Sequence, residues 1–490
     1  MLFFKRLSYC LFFGLGLVGE TQAQEDQWDL RRCVDYAIAN NISTKQADVQ
    51  RRISELLYDQ GKKARIPTAD FNTNTGYQFG RSIDPTTNLF TNQQLLFQGF
   101  QFNTNVTIFN WNRITNTMLA SKFEAEAAKA DVEINKNDLA LNVATAYLTA
   151  LLSKVQVDIV EVQVKQSESQ LNDTRKRVEA GTLPELNAVD LEAQLARDSS
   201  SLITARSTYE LNLLSLKALL ALDAGAPFAI AVPPVDRIPV DPIAELEPEL
   251  VYTMAMQNQP VIRANELRKK GLEYLVKSSK ANLYPSFFAF GGLASNFASS
   301  NRKVTGANFL GYNPPNPSNG AVTVNGDVIP LQSPNVQILQ GNKSFGELWE
   351  GWGTQMSNNF RQNIGIGISI PILGGWQSRT NYERSKLNLA NANLVIEQGN
   401  LNLKSNIYNA YTSAVASMQK FNAAKNSVNA AERSYNFTLR RYELGLLSTL
   451  ELITSQTNLT RSKIDMVNAQ FDYVFRMKVL EFYKGQGIKL

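Results

Sequence analysis

Histidine does not occur in this 490-residue chain. Its absence removes the commonest general acid–base group and the commonest metal ligand together. Cysteine is nearly absent, with Cys10 inside an apolar leader and Cys33 alone in the remainder. A lone cysteine forms no intramolecular disulfide, so stability must come from packing or assembly. Charge is sparse, 19% of residues with a net +5, which leaves no footprint for nucleic acid as a partner. No segment resembles a nucleotide-binding loop, and no nucleophile or metal-ligand spacing stands out among the scattered Ser, Asp and Lys. The residues therefore point away from an enzyme and call for no cofactor. Eight methionines without a local cluster give copper or silver handling little support.

Long apolar runs are also missing. Lys5 and Arg6 precede a mostly apolar stretch, Leu7–Val18, which has signal-peptide length and is too short to span a bilayer. Thr21 and Ala23 suit the −3 and −1 positions, so cleavage is expected after Ala23. A lipoprotein signal fits less well, because bulky Tyr9 precedes Cys10. Beyond Ala23 no uninterrupted stretch of 18 apolar residues remains. The expectation is an exported protein without a transmembrane helix, either free or spanning a membrane as strands.

What is present is one design written twice. A shift of 218 lays Ala37 on Ala255, Glu55 on Glu273, Leu57 on Leu275, Lys62 on Lys280 and Pro67 on Pro285. A shift of 264 lays Ser121–Lys122 on Ser385–Lys386, Ala146–Tyr147 on Ala410–Tyr411, and Arg177, Glu179 and Gly181 on Arg441, Glu443 and Gly445. The difference of 46 places an insertion in the second copy, where Asn313–Pro317 and many Gly, Asn and Ser predict a long exposed loop over about 298–358. The expected layout is a leader at 1–23, a first repeat at 24–222, a Pro- and Ala-rich linker at 223–247 and a second repeat at 248–490. Each repeat reads as helix, β-hairpin (about 68–109 and 286–371), long helix, tip (about 181–185 and 445–449), helix.

The strands alternate with period two. Phe71, Thr73, Thr75, Tyr77 and Phe79 oppose Asn72, Asn74, Gly76 and Gln78. Phe100, Phe102, Thr104, Val106 and Ile108 oppose Gln101, Asn103, Asn105 and Thr107. Ile364, Ile366, Ile368 and Ile370 alternate with Asn363, Gly365, Gly367 and Ser369. An apolar face backed by an uncharged polar face suits a transmembrane barrel, although alternation alone also fits a half-buried soluble strand. Between strands, about 110–180 lacks Pro and Gly, and Leu148, Leu151, Val155, Ile159 and Val162 keep three-four spacing, which predicts a rod of roughly 100 Å. Such a rod packs laterally in a coiled-coil-like wall. Four strands cannot close a barrel in lipid, where open edges leave backbone groups unsatisfied. Two chains supply eight strands and three supply twelve; a conduit favours the trimer.

In the duplication and its strand–helix order, the chain resembles the TolC family of outer-membrane efflux proteins over essentially its whole mature length. Pro371–Gly375 is similar to the family's strand-to-helix junction, from which Thr107–Trp111 departs. Asn40–Ile42 and Asn258–Pro260 resemble the Asn-Pro-type turn of the family's opening helices. The resemblance implies an α+β membrane protein in the Gram-negative outer membrane. Each tandem-repeat protomer would give four strands to a trimeric 12-stranded transmembrane barrel and long helices to a periplasmic α-barrel. It implies a passive exit duct of a tripartite efflux or type I secretion system. The partners would be outer-membrane lipid, a periplasmic adaptor (membrane fusion protein) and an inner-membrane RND or ABC-type pump.

The same resemblance assigns the helical tips. Arg177–Gly181 and Arg441–Gly445 each end a helix at glycine, and Pro184 suits the start of the next. Gly181, Leu183, Leu186, Gly445, Leu447, Ser448 and Leu450 would dock the adaptor. Glu451, six residues after Gly445, matches the acid that lines the family's entrance, while Thr454 stands where a second acid is frequent. In the first copy Asp190 is the acid and Asn187 replaces one. Tyr442 matches a tyrosine that helps hold the gate shut, but Leu447 stands where the family has a basic residue. The bland alternative for Glu451 is a solvated helix face. A trimeric surface stalk or adhesin with a membrane-anchoring barrel also pairs long helices with few strands, but there the strands occur once, at the C-terminus.

Overall fold

The computed structural model describes residues 27–83, 90–92, 94–232 and 242–485. The expected leader and part of the linker, 233–241, lie outside the described residues. The helices are α1 (Leu30–Asn40), α2 (Ile42–Lys63), α3 (Arg113–Glu179), α4 (Glu185–Leu220), α5 (Pro248–Asn258), α6 (Pro260–Ala281), α7 (Trp352–Asn358), α8 (Gln377–Glu443) and α9 (Thr449–Lys484). The strands are β1 (Thr68–Gln78), β2 (Arg81–Ile83), β3 (Phe90–Asn92), β4 (Leu95–Phe109), β5 (Ser286–Ser300), β6 (Arg302–Tyr312), β7 (Ala321–Val324), β8 (Asp327–Pro330), β9 (Pro334–Asn342) and β10 (Arg361–Ser369). The chain forms two compact units. One holds residues 57–121 and 272–388, the other the remaining described residues.

The tandem repeat is visible element by element. α1 and α5 are 11 residues each, α2 and α6 are 22, α3 and α8 are 67, and α4 and α9 are 36. The break between the opening helices is made twice with different chemistry. Asn41 accepts hydrogen bonds from Ser43 N (2.8 Å) and Oγ (2.7 Å), and its amide donates to Leu219 O (2.7 Å) at the end of α4. In the second copy Pro260 starts α6, and the Gln259 amide donates to Phe482 O (3.2 Å) and Tyr483 O (3.3 Å) at the end of α9.

The helical unit has two cores that are images of one another. The first gathers Cys33 and Ala37 of α1, Val143, Tyr147 and Ala150 of α3, and Leu213 and Leu216 of α4. The second gathers Val251, Ala255, Ile407, Ala414, Met477 and Leu480 at the corresponding positions of α5, α8 and α9. Tyr147 adds a polar clasp, its hydroxyl donating to Ala231 O (2.7 Å) and Trp28 O (3.2 Å), so the segment after α4 lies beside the chain before α1. Cys33 is fully buried, and desolvation pushes its thiol up to about 12.

No uninterrupted apolar run exists, yet an 18-residue window of α3 has a mean hydropathy of 1.3 and passes as a membrane span by length and composition. Half of that window is buried inside the protein, as befits a core helix of a bundle.

The other unit is built on an antiparallel sheet of order β1-β4-β5-β10. β1 and β10 are its two edges, each with one neighbour in the sheet. Register fixes the faces: Phe71 pairs with Phe102 and Phe102 with Leu293, while Val106 pairs with Ala289 and Ala289 with Ile366. The opposite face carries Asp70, Asn72, Gln101 and Asn103, linked by side-chain hydrogen bonds of 2.7–3.1 Å. That face is less polar than expected in the second copy. The Phe290 and Phe288 rings lie over Gly365 and Gly367, where an added Cβ would collide with them.

Both strand-to-helix junctions turn on two consecutive residues of positive φ, Trp111–Asn112 (54° and 61°) and Gly375–Trp376 (58° and 62°). The first copy achieves this without glycine, a conformation that costs a non-Gly residue energy. Trp111 is held by Nε1–H donation to Pro285 O (2.9 Å) and by ring contacts with Phe109 and Tyr284. The segment 298–358, expected as an exposed loop, is ordered into more strand. β6 pairs with β9, β7 with β8, and α7 packs on β5.

Candidate functional site

The site has two parts, the sheet and the helical tips. On the sheet, the apolar face is open where β10 carries it: Ile364 is 92% and Ile366 74% exposed in the single chain. Its end towards β6 is covered instead. Leu96, Phe297 and Leu348 form a buried cluster, Trp349 stacks on Phe297, and Trp352 donates to Gln98 Oε1 (2.8 Å). Gln355 and Asn359 satisfy the backbone of β5 beyond the start of β10, through Ala298 N (3.1 Å) and Asn296 O (2.7 Å). Below that cap the apolar face runs to an aromatic group at the helix junction, Phe109, Trp111, Tyr284 and Phe287. Aromatic girdles bounding an outward apolar band are the signature of a barrel wall.

The tips are made by one device used twice. Thr182 N bonds Arg177 O (2.9 Å) and Gly181 N bonds Val178 O (2.9 Å); Leu446 N bonds Arg441 O (2.8 Å) and Gly445 N bonds Tyr442 O (2.9 Å). This is the Schellman closure, and it demands the left-handed glycines, φ 69° at Gly181 and 72° at Gly445. Leu186 and Leu450 project as exposed apolar side chains beside these turns, and Leu183 and Leu447 are half-buried.

Glu451 has local work at the tip. Ser448 caps α9, and Glu451 reaches back to Ser448 N (3.0 Å) and Oγ (3.1 Å), completing a capping box. The carboxylate is exposed, so capping and a facing passage are compatible, but its hydrogen bonds run to Ser448 and none joins it to Asp190 or Asn187 among the described residues. Asp190 is half-buried on α4; Asn187 gives its backbone N–H to Pro184 O (3.1 Å).

Tyr442 is a buried packing residue whose hydroxyl meets Thr174 Oγ1 (3.1 Å) on α3, so within one chain it ties the two helical hairpins together. Its neighbours Tyr435, Leu452 and Leu459 share the cluster, and Ile453 packs with Ala188 and Leu191 of α4.

Sequence reading missed the polar layers above the tips. Tyr435 OH accepts from Gln166 and Gln170, and burial pushes its phenol up. Further on, buried Asp198 accepts from Ser167 Oγ (2.6 Å) and Gln194 Nε2 (2.9 Å). Gln456 donates to Ser167 (3.3 Å), and Thr460 bonds Gln163. The signal was available: Gln163, Ser167 and Thr174 fall between Val160, Leu171 and Val178 at core spacing on α3. No group of three acidic or cysteine side chains is placed to hold a metal among the described residues.

The sequence profile of outer membrane efflux proteins matches residues 33–222 and 251–482, and the chain belongs to that family. No curated protein sequence matches it. Among solved structures it is similar to the outer membrane protein VceC of Vibrio cholerae (TM-score 0.68, 14% identity, 94% of this chain and 97% of that one). It is also similar to the CmeC outer membrane channel of Campylobacter jejuni (0.69, 16%, 94% and 86%) and to the MtrE outer membrane channel of Neisseria gonorrhoeae (0.66, 16%, 94% and 89%). The protein is thus a TolC-type outer-membrane channel, with its sheet in the outer membrane and its helices extending into the periplasm.

Proposed function

We propose that three copies of this chain form the passive exit duct of a tripartite efflux or type I secretion system. The observation that carries this is the sheet: four strands, both edges open, an apolar face exposed on the edge strand β10. In lipid those edges must be paired, and β10 of one copy running antiparallel to β1 of the next closes twelve strands around a lumen. The polar face of Asp70, Asn72, Gln101 and Asn103 then lines that lumen. The periplasmic end docks an adaptor through the tips around Gly181, Leu183, Leu186, Gly445, Leu447, Ser448 and Leu450. Energy comes from an inner-membrane RND or ABC-type pump. Glu451 and Asp190 line the entrance, with Tyr442 and Asn187 in its closure. The chain performs no chemistry; buried Asp198, which accepts hydrogen bonds from Gln163, Ser167 and Gln194, reads as a bundle-locking group.

The deciding experiment is a mass measurement by light scattering in mild detergent together with conductance in planar bilayers. A trimer that conducts supports the duct. A folded monomer, or a trimer that never conducts, would return the chain to the stalk reading.

A further inference from the structure

The insertion peculiar to the second copy forms a blade. β6 and β9 pair from Arg302↔Asn342 to Tyr312↔Pro334, and the β7–β8 hairpin lies within the connection between them. The blade leaves the sheet at the ends of β4 and β5, opposite the helix junctions, so it stands on the outer side of the membrane. Its root is stapled. Asn301 N bonds Gln94 O (3.1 Å), Lys343 N bonds Asn301 O (2.8 Å), and Lys303 pairs with Glu347. A root tied at three places presents the blade rather than letting it fold back onto the sheet.

The blade's surface is wrong for water. Val304, Phe309, Leu310, Val328 and Ile338 are each more than half exposed. A two-stranded ribbon is marginal alone, and the register puts Val304, Phe309 and Ile338 on one face of it, an exposed apolar row of the kind that marks an interface. Charge tells which kind. The root carries Arg302, Lys303 and Lys343, whereas Asp327 is the sole charged residue between 304 and 342. Cations suited to lipid phosphates thus sit at the root, and the blade above them offers almost nothing to a headgroup. A nearly neutral surface is one that copies of the same chain can bring together without like-charge repulsion. The blade also emerges between β5 and β10, one strand from the edge at which the next copy joins.

We propose that the blades of neighbouring copies pack on one another over the outer mouth of the duct, forming an apolar cap. The proposal rests on the trimeric duct reading for its geometry. The test uses the full-length assembled protein carrying Ile338→Cys, with buried Cys33 as a silent background. A short bis-maleimide should link it into covalent dimers and trimers, and a bulky water-soluble maleimide should label it slowly on intact cells. Replacing residues 305–341 by a short Gly-Ser turn should raise single-channel conductance by about twofold or more, since an apolar constriction limits flow. Fast labelling without cross-links overturns the contact. Slow labelling without cross-links, relieved by detergent, assigns the surface to lipid and also overturns it. Unchanged conductance on deletion overturns the cap. Cross-linking does not require conduction, so linked blades in an assembly that never conducts would sink the duct reading and leave the blade contact standing.

Discussion

Replacing Ile366 by lysine tests which face of the sheet meets lipid. β10 has nine residues, which at about 3.3 Å each and a tilt near 40° cover roughly 23 Å of height, close to the apolar band of a barrel. Ile366 lies just past the middle of that strand, in a row with Ala289 and Val106, and is 74% exposed in the single chain. A lysine facing lipid near mid-bilayer costs about 2–4 kcal/mol, so three copies in one trimer sum to about 6–12 kcal/mol, comparable with the whole stability of a domain. Val106→Lys, in the same row, carries the same penalty. Asn105→Lys pairs with Phe290 on the opposite face, where a cation meets water, and should cost little. The assay is the fraction of each variant recovered as folded trimer in outer membranes, compared by heat-modifiability on gels. Insertion should fall strongly for Ile366→Lys and Val106→Lys and remain near normal for Asn105→Lys. Equal behaviour of all three, or the reverse order, would refute the assignment of faces.

Tyr442→Phe leaves Thr174 without its partner at a buried position, a loss of about 1–3 kcal/mol that should raise resting conductance; Thr174→Val restores an apolar match and should recover part of it. An unchanged closed state in both variants would make this bond irrelevant to the gate. Glu451→Gln keeps a capping-box residue and removes the charge, so single-channel recordings should show weaker cation preference at nearly normal stability, whereas Ser448→Ala should cost about 1 kcal/mol and spare selectivity. Preference untouched by Glu451→Gln would leave the residue with its capping role alone. At the blade root, Lys303 and the Ser344 backbone and hydroxyl hold the Glu347 carboxyl at about 2, below its ordinary 4.5. A depressed carboxylate contributes its stabilisation above pH 4.5 and loses it as pH falls towards 2, so proteolytic nicking near Ser344 should rise over that window and Glu347→Gln should nick equally at all pH values.

The two opening cores are legible in outline because a duplication writes each core twice. Ala37 with Ala255, and Tyr147 with Tyr411, are repeated letters at a fixed shift, and a shift that preserves such letters marks the positions both copies must bury. Alternation gives the sheet faces for the same reason that it builds them, since side chains point to opposite sides at every step. Left-handed turns are legible at Gly181 and Gly445, where only glycine sits at no cost. They are hidden at Trp111, where a tryptophan is held in the same backbone state by Pro285 and Tyr284. The insertion reads as loop from its Pro, Gly and Asn. Its β6 and β9 pair across 22 to 40 residues, and such non-local pairing leaves little periodic trace in short, turn-rich segments.

The sequence by itself determined the class of the protein. It did so through the doubled pattern and apolar faces that no single chain can cover. Tertiary structure alone decided what the tip residues touch. In the sequence Tyr442 reads as a gate latch, and in the fold it is tied to Thr174. Glu451 reads as a ring charge and also closes a capping box; Asp198 carries no signal of its own and anchors a buried layer. The physical reason is common to all three. Periodicity reports which face of a helix a residue occupies, but the partner on that face is chosen by how four long helices are set in register against one another, and no local run of residues encodes that setting.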